Sequence, residues 1–73
     1  MRLDADIKRD VEDELRWDPD IDATDIGVAV HNGVVTLSGT VPSASQIRLA
    51  ENAAKQVKGV RDVHNDLKAA GRK

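Results

Sequence analysis

The stretch Ile26-Gly27-Val28-Ala29-Val30-His31-Asn32-Gly33-Val34-Val35-Thr36-Leu37-Ser38-Gly39-Thr40-Val41 decides the fold. Asn32 and Gly33 both tolerate the positive φ of a type I′ turn, and Asn-Gly between alternating hydrophobics is the strongest short-range hairpin signal. With these two as the loop, Val30 faces Val35, Val28 faces Leu37 and Ile26 faces Gly39. Every large partner then falls on one face, so turn chemistry and hydrophobic pattern demand the same register. The other face holds Gly27, Ala29, Thr36, Ser38 and Thr40, a set suited to a sheet covered on one side.

Upstream, Leu3, Ile7, Val11 and Leu15 recur every four residues and predict a helix over about 5–17, with Asp4 or Asp6 as N-cap. It stops at Asp18-Pro19, because proline restricts the residue before it and cannot continue the ladder. Downstream, Ser43 and Gln46 have capping-box spacing at the head of a second helix. Ile47, Ala50, Ala53, Ala54 and Val57 fill one side of it, and the alanines permit close approach to a sheet. Gly59 suits the left-handed position after that helix, with Val60 as the hydrophobic contact of its ending. A third strand follows, with Val63, Asn65 and Leu67 on one face and Asp62, His64, Asp66 and Lys68 on the other; residues 69–73 read as a tail. The expected fold is α+β in the order α-β-β-α-β, two helices on one face of a three-stranded mixed sheet with a right-handed β-α-β crossover.

Length and composition bound the rest. Seventy-three residues make one small domain, near the size at which a single core leaves only about 3 to 5 kcal/mol of net stability. A deep substrate cavity would be hard to maintain. There is no Phe or Tyr and only one Trp, so the core must be aliphatic; the absence of Cys removes disulfide and thiolate chemistry. No apolar run approaches the roughly 20 residues of a membrane span, which predicts no transmembrane segment. The net charge of −2 is unevenly placed: residues 1–25 hold ten acids against Arg2, Lys8, Arg9 and Arg16, and the remainder holds three acids against seven bases. The domain is expected to be electrically two-sided, its charges mostly solvated helix faces.

In this order and spacing the landmarks resemble the BON domain, a small bacterial module named for osmotically inducible and nodulation proteins. The resemblance runs from Asp6-Ile7 and Val11 to Leu15, through Ile26 to Val30 and Asn32 to Val41, to Ala50-Glu51, Val57-Lys58-Gly59-Val60 and Val63-His64-Asn65-Asp66-Leu67. It covers about residues 4–68. It implies the α-β-β-α-β fold and a role in attachment to phospholipid or to the cell envelope, often in tandem copies or beside other domains. By resemblance the compartment is the bacterial envelope or periplasm if the chain is excised from a longer precursor; a natural start at Met1 would place it in the cytoplasm.

Each candidate site has a structural reading beside its functional one. Gly33 is explained by the turn, Gly59 by the helix end, and Gly39 by close approach of a helix or by room opposite Ile26; none makes a phosphate-cradling loop. Asp18, Asp20, Asp22 and Asp25 suggest calcium, but an EF-hand register from Asp18 puts Ala23 at the required glycine and Ala29 at the bidentate glutamate. A solvated loop is the simpler account, and no metal or other cofactor is expected. His31 and His64 read as surface residues, and Ser38, Ser43 and Ser45 lack a base-and-orienter arrangement, so an enzyme is not expected. Few aromatics and a negative charge argue against nucleic acid.

Basic residues supply the one binding surface to be tested. Arg48 and Lys55 share an outward stripe of the second helix, with Lys58 nearby and Arg61 just beyond, where they could meet lipid phosphates. Glu51 lies between them at helix-stabilising spacing, which is the bland alternative. At about 1 kcal/mol per base, four bases less Glu51 and Asp62 leave about 2 kcal/mol, weaker than millimolar, so attachment needs tandem copies, an anchor or a partner. Trp17 reads as a partly buried cap on the core, with interfacial anchor as the other reading. The partner is therefore an anionic phospholipid headgroup, bound weakly, or a protein, with a monomer expected in isolation.

Overall fold

The computed structural model describes residues 3–70. Its elements are α1 (Asp4–Trp17), β1 (Ile26–His31), β2 (Val34–Val41), α2 (Ala44–Lys55) and β3 (Asp62–Ala69). The sheet order is β1-β2-β3, antiparallel across the hairpin and parallel between β2 and β3. Val30 pairs with Val35, Val28 with Leu37 and Ile26 with Gly39, the register demanded by the turn. Asn32 and Gly33 both take positive φ, 52° and 80°.

Both helices pack on one sheet face. Ile7, Val11 and Leu15 of α1 meet Val35, Leu37 and Val41 of β2, Ala50, Ala53 and Ala54 of α2, and Leu67 of β3. Because α2 presents alanines, its backbone lies close to the sheet and the core stays thin. Ile21, in the acidic loop, completes this core. It is a lone apolar residue between Asp20 and Asp22, with no period around it to mark it as buried.

Several local expectations are corrected. The N-cap of α1 is Leu3, exposed, and neither Asp4 nor Asp6 caps the helix. Ser43 is the N-cap of α2, but its side chain makes no capping bond; Ser43 Oγ meets Ser45 Oγ at 3.0 Å, and Gln46 Oε1 accepts from the Asp22 N–H at 2.6 Å. The capping box is replaced by a tie between α2 and the acidic loop, because that loop carries an amide with no ladder of its own. The helix ends one turn before Gly59, which instead sits in the turn Val57–Val60, closed by the Val60 N–H on the Val57 carbonyl. Gly39 is required by the Asp25 backbone and not by a helix: a Cβ there would collide with the Asp25 carbonyl, and φ is 112°. Ala69 belongs to β3 and Ala70 donates to the Val41 carbonyl at 2.7 Å, so the predicted tail is in part a strand; residues 71–73 lie outside the described residues.

Gly39→Ala should lower stability by about 2 kcal/mol or more, combining positive-φ strain with displacement of a backbone neighbour. Urea denaturation measures it. Gly27→Ala meets mainly the Ser38 hydroxyl at 3.2 Å and should cost clearly less.

Candidate functional site

At the hairpin end, the Asp4 carboxylate accepts from both turn amides, Asn32 at 2.9 Å and Gly33 at 3.1 Å. Successive amides at a positive-φ turn form an anion-binding concavity, and here an intramolecular carboxylate fills it. The Gly33 carbonyl accepts from the Arg61 N–H at 2.8 Å, and the Arg61 side-chain stem lies where a Gly33 Cβ would be, 2.8 Å from Cγ. Arg61 is therefore laid over the turn, at the far end of the domain from the α2 N-terminus.

Arg48 and Lys55 are exposed on the outer face of α2. Lys55 Nζ pairs with Glu51 at 3.0 Å, and Glu51 also accepts from Asn65 Nδ2 at 3.1 Å. Hydrogen bonds from Lys55 and then Asn65, with the charges of Lys55 and Arg48 behind them, hold the Glu51 carboxyl below its ordinary range. Glu51 thus takes much of the charge that Lys55 would offer a ligand. Lys58 lies elsewhere, lining a shallow groove with Asp10, Asp13, Glu14, Gln56 and Val57. The structure brings Arg48 and Lys55 together and sets Lys58 and Arg61 on separate parts of the surface.

Trp17 is 82% exposed, against the expectation of partial burial. Ile21 fills the end of the core that the indole was expected to cap. The neighbours of Trp17 in sequence are Arg16, paired with Asp13 at 3.5 Å, and Asp18. Asp18 and Asp22 are turned into their own loop, accepting from the Asp20 N–H at 2.9 Å and the Thr24 N–H at 3.1 Å. The Thr24 hydrogen bonds lower the Asp22 carboxyl pKa. Among the described residues no group of three or more His, Cys, Asp or Glu is placed to hold a metal. His31 is exposed beside the turn, and His64 Nε2 lies 3.5 Å from Asp66 Oδ1 on the open sheet face.

Alternation alone puts Asn65 on the core side, and its role appears only in three dimensions. Its amide donates to the Ile47 carbonyl and to Glu51, each at 3.1 Å, and its oxygen accepts from the Leu67 N–H at 3.0 Å. This half-buried group locks α2 to β3.

The sequence matches the BON domain description over residues 3–71, nearly its whole length. The chain belongs to the BON family. A curated relative, osmotically-inducible protein Y of Escherichia coli (strain K12), is 42% identical over 59 residues, which are 81% of this chain and 29% of that protein. This BON domain therefore spans under a third of the length of the relative it matches. No helix among the described residues is long and apolar enough to cross a membrane. The BON landmarks Asn32, Gly33, Gly39 and Gly59 sit at turns or tight backbone approaches, so they specify the fold.

Asp4→Ala removes two charge-assisted bonds and should cost about 1.5 to 3 kcal/mol, a fall in Tm of about 6 °C or more by calorimetry. For Glu51, a carboxyl whose folded pKa is lowered stabilises the fold above its unfolded value, near 4.5, and that stabilisation is lost as pH falls through the folded value. Glu51→Gln should therefore narrow its stability gap to the parent as pH falls from about 6 to about 3. Urea midpoints across that range would show it.

Proposed function

We propose that this BON domain is a non-catalytic envelope-attachment module that contacts anionic phospholipid weakly through Arg48 and Lys55, with Trp17 contributing; Lys58 and Arg61, set on other parts of the surface, stand outside that contact. The observation that carries the reading is the placement of Trp17: the sole aromatic of an aromatic-poor chain stands in solvent while alanines line the core. An indole is apolar in its body and polar at its N–H, which suits a headgroup boundary. BON membership and the osmotic induction named in the relative support a stress-linked envelope setting.

The charge arrangement keeps the contact weak. Glu51 offsets Lys55, Lys58 lies beside three acids of α1, and Asp13 and Glu14, about one helical turn earlier, and Asp18 flank Trp17 in the sequence. One domain alone binds weaker than millimolar by the count of about 1 kcal/mol per uncompensated base. Attachment then needs several copies or a second anchor to raise the effective concentration. A protein-docking role without lipid is the second reading, favoured by the free backbone edge of β1.

Trp17 makes the test direct, because its emission reports on one site. Phosphatidylglycerol vesicles at low salt should shift the emission to the blue, and phosphatidylcholine vesicles should not. R48E/K55E, folded by circular dichroism, should lose the shift, as should about 0.5 M salt, where the Debye length is only a few ångströms. An unchanged shift in R48E/K55E would remove the basic stripe from the function.

A further inference from the structure

The two edges of the sheet are built differently. In the hairpin, His31 and Val34 flank a two-residue loop and so form a hydrogen-bonded pair; Ala29 with Thr36 and Gly27 with Ser38 follow by alternation. The N–H and C=O groups of Val28 and Val30 then point away from β2. Neither amide donates to a partner among the described residues.

At the opposite edge, the Ala70 N–H on the Val41 carbonyl fixes the even residues of β3 toward β2 and the odd ones outward. There the outward amides of Val63 and Leu67 are already taken, by Asp62 Oδ1 at 2.9 Å and Asn65 Oδ1 at 3.0 Å. Charged Asp62, Asp66 and Lys68 alternate along the same strand. Edge protection of this kind blocks strand addition, and β1 has none of it.

Beside β1, Leu15, Ile21, Ile26 and Val28 floor a groove rimmed by Glu12, Asp22 and Arg16, the last paired with Asp13 at 3.5 Å. The chain entering β1 adds Asp18, Asp20 and Asp25, with no base between Asp18 and Asp25. We propose that β1 is a strand-addition site for an extended segment of a partner protein, apolar at alternate positions and flanked by Lys or Arg. Main-chain bonds to Val28 and Val30 supply register, apolar side chains enter the groove, and basic flanks meet the acidic lead. A second copy of this chain fits less well, because pairing two β1 strands in one sheet would bring two α1 helices, each with more acids than bases, side by side. This site is separate from the lipid reading and survives its failure.

The probe is a blocked peptide of about six residues, the length of β1, with valine and threonine alternating between terminal lysines. Titrated into the ¹⁵N-labelled chain at low salt, it should shift β1 amides and slow hydrogen exchange at Val28 and Val30 at least about tenfold. The same peptide N-methylated at alternate amides, or carrying glutamate for lysine, should lose most of the effect. Val28→Pro removes a donor that the native ladder does not use; the folded variant should lose peptide protection at Val30. Three results would overturn the proposal: no protection of Val28 and Val30 at saturating peptide, equal binding of the N-methylated peptide, or self-association through β1 in its absence.

Discussion

Both hydrogen-bonding groups of Gly33 are held by other elements: its N–H by the Asp4 carboxylate of α1, its carbonyl by the Arg61 amide at the entry to β3. One turn residue thus fixes where the first helix begins, how the hairpin pairs and where the parallel strand starts. The Arg61 stem fills the space that any Cβ at that position would need. Because the hairpin register depends on this turn, and one slip would carry Val35 and Leu37 to the solvent face, the core depends on it as well.

The core beneath is thin by composition. Among the described residues, aliphatic side chains and alanines leave no deep cavity, and what remains at the surface is a set of open grooves between elements. Thinness also explains Trp17. An indole needs more depth than a helix-on-sheet contact made through Ala50, Ala53 and Ala54 provides, and Ile21 closes that end with a smaller side chain. The one aromatic is left where it can meet a lipid boundary or a protein.

Polar groups carry the tertiary ties that a larger protein would leave to its core. Asp4 joins α1 to the turn, Gln46 joins α2 to the acidic loop, and Asn65 joins β3 to α2 while covering its own strand edge. Each lies at or near the surface, and each fixes an element whose packing area is small. The sheet edge without such cover, β1, is correspondingly the place where another chain has backbone groups to bind.

Periodicity and turn chemistry in the sequence by themselves determined the element order, the hairpin register and the inward faces of both helices and of β3. Those features follow from local rules: Asn-Gly admits one turn, proline after Asp18 ends one helix, and alternation has only two phases. The three-dimensional fold alone decided the partners of isolated polar and apolar residues. Asp4 sits 28 residues from Asn32 and Asp22 sits 24 from Gln46, so a carboxylate that looked like a helix cap and an amide that looked like half a capping box found stronger partners across space. Trp17 stands in solvent and Ile21 is buried for the same reason. Burial of a lone side chain depends on the room that packed elements leave, and no period in the chain records that room.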